Sequence, residues 1–360
     1  MKEAESNRSN FNFSNYDGDH SKEDLAIYFG LTSPLYGFVS GIILPVIIFN
    51  NTITNLLLIL FCKNLSPRNH ARVLYIIIAI ADLLPTLHHF LLHVFLSDGL
   101  DYLTGGEFSI GINNISNAVC RFNWFLFGVS LQFCNWLLIL FSLERLIVVF
   151  FPLRAMYFNV KTSLFGVLAI FALSAGYHLT FINTHNTVPD TLHEGEAECF
   201  GSDDSFSLTL FTVNFIGVYF LFPGLVNALG NIILLIKLKH ISHQRMKMLG
   251  ENQQQKSQID LVTTITHITM SFIHFALVVP VVLIGIYTRI LYAQKEGNEK
   301  LLDEIVNIFS SLLALSNISN GTSFYVYLAR IKNFRISILS SFCCKFRTSQ
   351  ASSSKVSENI

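Results

Sequence analysis

Apolar residues in this chain gather into runs of about 20 residues or more, divided by short polar breaks. One run reads CRFNWFLFGVSLQFCNWLLILFSLERLIVVFFPL, from Cys120 to Leu153, with no charged residue between Phe122 and Leu143. At about 1.5 Å per residue, such a segment crosses a hydrocarbon core of about 30 Å. Cys120 and the pair Glu144-Arg145 mark its two mouths, roughly 37 Å of helix apart. Seven apolar segments are expected, near 35–62, 72–97, 119–151, 162–184, 205–238, 261–290 and 302–329. The fourth has a polar outer half, with His178 and Asn183. The runs are too long and too evenly apolar for alternating barrel strands, and only helices or closed barrels span lipid. The expected fold is therefore an all-α membrane protein, a seven-transmembrane helix bundle. The short links at 63–71 and 152–161 make their neighbours antiparallel.

The flanks divide the rest. Residues 1–34 read as a polar extracellular tail with two glycosylation sequons, at Asn7 and Asn12, and without the basic and apolar regions of a cleavable signal peptide. The bundle occupies 35–330. A basic amphipathic stretch, 331–344, reads as a short eighth helix on the membrane surface, with Cys343 and Cys344 placed for palmitoylation. The serine-rich remainder, 345–360, reads as a disordered cytoplasmic tail.

Composition agrees with the pattern: 360 residues, 51% hydrophobic and only 13% charged, which excludes an ordinary soluble domain. The net charge of zero hides an asymmetry that orients the bundle. With the N-terminus outside, 17 of the 24 Lys and Arg fall on the inner side, and 19 of the 24 Asp and Glu on the outer side. Lys and Arg favour the cytoplasmic face, so the chain is expected in the plasma membrane, N-terminus out and C-terminus in.

One acid, Asp82, falls mid-membrane. An ionised carboxylate there is costly unless it faces protein, water or a cation. It is either a protonated, hydrogen-bonded structural residue or part of a hydrated site. Asn55, Ser130, Ser319, Asn320 and Ser323 supply polar neighbours that could enclose water or a sodium ion. His88, His89 and His93 lie in the outer half of the second segment; packed or hydrogen-bonded rings are the commoner outcome, and no metal centre is expected.

Taken together, these residues resemble the rhodopsin-like (class A) G-protein-coupled receptors over 35–345. The match rests on Asn55 in the first segment, Ala81-Asp82-Leu83 in the second, and Cys120 atop the third. Glu144-Arg145-Leu146 stands at the third segment's inner end, Phe151-Pro152-Leu153 follows it, and Pro223, Pro280 and Tyr327 with Phe334-Arg335 complete the set. The chain departs from the family pattern at several points. Val278 replaces a helix-six tryptophan, Ser323-Phe324 replaces asparagine-proline, Asn231 stands for a tyrosine, and the fourth segment has neither its tryptophan nor its proline. The resemblance implies a divergent member. It implies that Glu144, Arg145, Asp260 and Tyr327 form the activation switch read by a heterotrimeric G protein, with Arg145–Asp260 closing the inner face at rest. It also implies, with their shared position on the oxidising face, that Cys120 pairs with Cys199.

For the ligand, Phe127 stands where amine receptors of this family carry an aspartate, and Asn317 where opsins carry a lysine. The acidic loop 189–204 and the outer aromatic residues favour a basic or amphipathic neuropeptide, with Trp124, Phe127, Val278 and Asn317 as pocket candidates. The acidic loops can also be no more than the complement of positive-inside topology. The rivals are an orphan or decoy heptahelical receptor for a lipid-like ligand and, further off, a transporter. The expected partners are an extracellular ligand, a G protein and the bilayer. No catalytic site, cofactor beyond that sodium ion, or nucleic-acid partner is expected.

Overall fold

The computed structural model describes residues 34–62, 69–151, 159–179, 182, 185–189, 197–201, 213–245, 251–294, 299–332 and 334–341. The sequons at Asn7 and Asn12 and the cysteine pair Cys343-Cys344 lie outside the described residues.

Seven long helices appear among the described residues, and six are long and apolar enough to cross a bilayer unbroken. α1 spans Pro34–Phe61 and α3 spans Asn117–Phe150. α2 begins as Asn69–Pro85 and continues through a π-wound stretch, Thr86–Gly99, into Leu100–Thr104. α4 is Val160–Leu179, which takes in His178 of the polar positions expected at its end, whereas Asn183 lies outside the described residues. α5 opens π-wound at Val213–Leu221 and continues as Phe222–Arg245, and α6 spans Glu251–Gln294. α7 is broken into Glu299–Ser316 and Ser319–Arg330, so it lacks one unbroken apolar run. A short α8 occupies 334–341. Its Phe334 and Ile338 are buried against Tyr327 and Ile331, as an amphipathic helix docked on the bundle requires.

Local chemistry sets several of these boundaries. Ser116 caps α3 by accepting from the Val119 N–H at 3.3 Å. The helix ends at Phe151, where the following Pro152 disfavours helical backbone. Gly105 and Gly106, both at positive φ, end α2 by donating back to the Tyr102 and Asp101 carbonyls. Within α2, Pro85 has no N–H for the Ala81 carbonyl four residues earlier. The Cys134 thiol of α3 donates to that carbonyl instead, at 3.0 Å.

The break in α7 is held from outside. Asn51 and Asn55 of α1 donate their amides to the carbonyls of Asn317 and Asn320, at 2.7 and 2.9 Å. Backbone there closes three-residue turns, Asn320 N–H to Asn317 and Gly321 N–H to Ile318. Gly321 makes the approach possible, because a Cβ on it would collide with the Asn51 side chain.

α3 runs through the middle, packed against α2, α4, α5 and α6, while α7 closes the ring onto α1. The bundle's outer surface remains apolar: Phe165 is 76% exposed and Phe49 69%. A surface of that kind needs lipid and not water around it. Among the described residues, one small feature falls outside the all-helical expectation: β1 (His185–Pro189) pairs antiparallel with β2 (Ala197–Gly201), placing Thr187 opposite Cys199.

Candidate functional site

The Cys120–Cys199 disulfide joins β2 to the top of α3, with Cα atoms 5.6 Å apart, and fixes one end of the bundle. The Cys199 N–H also donates to Asn114 Oδ1 at 3.0 Å, so the hairpin is tied to the turn Ile112–Asn114 as well. Asn123 of α3 donates to Asn113 of the same turn at 2.9 Å and holds the His88 ring at 3.2 Å.

Beneath this lid lies a cavity of about 340 Å³ walled by α1, α2, α3 and α7. Two of the expected pocket residues, Trp124 and Phe127, line it. The Phe127 ring stacks on His89, centroids 3.7 Å apart, and Trp124 meets Phe127 edge-on at 5.6 Å. The lining also includes polar groups. Asp98 faces the cavity and accepts hydrogen bonds from the Tyr36 and Ser97 hydroxyls, each at 2.7 Å. Aromatic rings and a carboxylate lining one cavity suit a ligand with an apolar body and a cationic group. The His88, His89 and His93 rings cluster here, yet among the described residues no three metal-ligating groups converge.

Deeper along α3 is a smaller cavity of about 50 Å³. Asp82, Ser319, Asn320 and Ser323 line it, as do the other two pocket candidates, Val278 and Asn317. Asp82 is half-buried because its surface opens inward, and its carboxylate has no hydrogen-bond or ion-pair partner among the described residues. Asn317 Oδ1 accepts from Asn320 at 2.7 Å and from Thr86 at 3.2 Å, which organises the wall facing Asp82. One carboxylate with hydroxyl and amide oxygens, in a space of water size, has the donor chemistry of a hydrated sodium ion. Asn55 stands outside this cavity, spent on the α7 break. Ser130 turns away and donates to its own helix at the Phe127 carbonyl, 2.9 Å.

The far end gathers around Arg145, which is 1% exposed. Its guanidinium donates to the Tyr75 hydroxyl of α2 at 3.2 Å and lies over the Phe141 ring at 4.8 Å. Tyr75 meets Tyr327 of α7 edge-on at 5.2 Å, so α2, α3 and α7 converge here. Glu144 is buried beside Arg145. Asp260 belongs to α6, but its side chain lies outside the described residues.

Two cross-links between α3 and α6 join these levels. His274 Nε2 donates to Asn135 Oδ1 at 2.9 Å, at the edge of the small cavity. One level down, Ser142 bonds His267 Nε2 at 2.9 Å and donates to Asn227 of α5. Sequence reasoning passed over these residues, though a signal was present. Asn135 and Ser142 are seven apart on α3, and His267 and His274 are seven apart on α6, so each pair repeats on one helix face.

A disulfide-capped cavity, a mid-bundle acid and a buried arginine thus succeed one another along a single central helix. The family model for seven-transmembrane receptors of the rhodopsin family matches residues 54–320. The chain belongs to that family. It is a multi-pass membrane protein and a signalling receptor, and the family is one of receptors and not of enzymes. No curated protein matches the chain. The receptor keeps the family's architecture while its helix-six and helix-seven motifs are rewritten: Val278 packs at the junction of α3, α5 and α6, and Phe324 packs against Phe334 of α8.

Proposed function

We propose that this receptor sits in the plasma membrane with its disulfide end outside, takes a basic or amphipathic peptide into the 340 Å³ cavity, and signals to a heterotrimeric G protein through Arg145. The observation that carries the ligand reading is Asp98: a carboxylate lining the same cavity as Trp124 and Phe127. A cationic side chain pairs with it, and aromatic or aliphatic side chains fill the apolar wall. The excess of outer acidic residues would concentrate such a ligand at the mouth. The orientation rests on the Lys and Arg distribution.

Arg145 supports the signalling half. A guanidinium this buried, held by Tyr75 and Phe141, is stable only while its end of the bundle stays closed. Separation of α6 from α3 exposes it to a partner, and Tyr327 and Asp260 then act as the neighbouring parts of the switch. The small cavity beside Asp82 takes water or a sodium ion that steadies the closed arrangement.

The test is a peptide-library screen in cells carrying a promiscuous G-protein reporter, run beside Arg145→Ala at matched surface expression. Activation by basic peptides, lost in Arg145→Ala, supports the reading. Activation by neutral lipids alone would refute the ligand assignment, and an Arg145→Ala receptor that signals like the parent would refute the coupling assignment.

A further inference from the structure

The turn that ties the hairpin to α3 carries chemistry unconnected with signalling. It leads into Asn114-Ile115-Ser116, an asparagine and a serine separated by one residue other than proline, which is the acceptor pattern for an N-linked glycan. Such triplets arise by chance, so position has to discriminate among them. Those at Asn50, Asn317 and Asn320 lie along α1 and α7, enclosed by the bundle and by lipid. The one at Asn64 lies on the link 63–71, toward the Arg145 end. Asn114 lies at the disulfide end, and its side chain is exposed, as are those of Ser116 and Ile115, the latter by 72%.

The two ends of the Asn114 amide have separate uses. Oδ1 accepts from the Cys199 N–H at 3.0 Å, a bond that asks nothing of the nitrogen. Nδ2 rests over Gly111, where a Cβ would stand 2.9 Å from it, so the glycine leaves the nitrogen its room. The neighbouring Asn113 is spent on Asn123 and has Ile115, not serine or threonine, two residues on. The Cys120–Cys199 bridge is an independent observation: a disulfide marks the face that matured in an oxidising lumen, the side on which chains receive their asparagine-linked oligosaccharides. We infer that Asn114 carries an N-linked glycan, its stem standing at the rim of the 340 Å³ cavity that Asn114 helps to line. The donor is a polyprenyl-diphosphate oligosaccharide presented by the cell's transferase. Nδ2 bonds to the anomeric carbon and gives up one proton; the bond from that carbon to the diphosphate oxygen breaks, and the lipid diphosphate leaves. The product is still an amide, so Oδ1 continues to hold the hairpin. The inference rests on the disulfide end being outside.

The experiment uses the full-length receptor from animal cells, isolated from the surface by biotinylation. Peptide N-glycosidase in heavy-oxygen water converts each glycosylated asparagine to a labelled aspartate, and mass spectrometry locates the label. Label at position 114 is expected. On gels, Asn7→Gln/Asn12→Gln should keep one glycosidase-sensitive step in mobility, and adding Ser116→Asn should remove it. Ser116→Asn is the clean variant, because asparagine caps a helix as well as serine does, and Asn114 keeps its contact with Cys199. Ser116→Thr preserves both triplet and cap and should keep the step. A surface receptor without label at position 114 overturns the inference, as does a step that survives Ser116→Asn. Label at Asn7 or Asn12 then shows the orientation standing without it, whereas label at Asn64 shows the disulfide end to be inside. If a variant fails to reach the surface, the parent's label still decides the matter.

Discussion

The hydrogen bond from His274 to Asn135 offers the sharpest test of how this receptor rests. It crosses from α6 to α3 deep in the bundle, with both residues on the wall of the small cavity. Parting of the two helices breaks it, so its free energy belongs to the closed state alone. Side-chain hydrogen bonds between membrane helices contribute about 0.6 kcal/mol on average and up to about 1.7. Replacing Asn135 with Leu should therefore shift the closed–open ratio by roughly 3- to 18-fold, with the upper end favoured because His274 is left buried without its acceptor. His274→Phe should do the same from the other side. The double variant Asn135→Leu/His274→Phe removes donor and acceptor together, so its basal activity should not exceed that of either single variant. The assay is ligand-independent reporter signalling, normalised to surface expression, for the four receptors of the cycle. Single variants with unchanged basal signalling, or a double variant whose effect is the product of the two, would refute the idea that this bond restrains α6.

Three further outcomes follow from other contacts. Gly321→Ala should displace Asn51 from the Asn317 carbonyl and cost about 1–3 kcal/mol, read as a lowered unfolding temperature in detergent; Gly217→Ala, with open space at its Cβ, serves as the neutral control. Asp98→Asn should weaken activation by a basic peptide by about tenfold or more while leaving a response to Arg145-dependent constitutive variants intact, as measured by dose–response curves. Cys199→Ser frees the hairpin from α3; peptide potency should fall much further than thermal stability, since the bilayer already confines the helices.

The membrane architecture could be read from residue order alone, because a bilayer leaves so few options for long apolar runs. Asp82, Arg145 and Cys120 could be read for the same reason, each being a polar or reactive group whose placement in such runs demands an explanation. What could not be read was pairing. Asn51 and Asn317 are 266 residues apart, and nothing in either neighbourhood announces that an amide from one satisfies a carbonyl of the other. Ser130 shows the reverse problem: its hydroxyl was satisfied within its own helix, an option open to any serine. Val278 and Asn317 were placed on the right helices, but depth along a helix decides which cavity a side chain meets, and that depends on packing. Asp98 was counted only as one more outer charge; the fold lines one cavity with it, Trp124 and Phe127.

The interruption in α7 carries a last implication. The motif this chain departs from carries a proline at the position of Phe324, and a proline interrupts a helix from within. Here the interruption is written into a different helix, through Asn51 and Asn55, and is reinforced where Tyr325 bonds to Asn50. The bend is thus a property of two segments together. Any swivel of the Tyr327 half must either drag α1 along or release two amides, so the first helix becomes a moving part of the transmission and ceases to be a mere anchor.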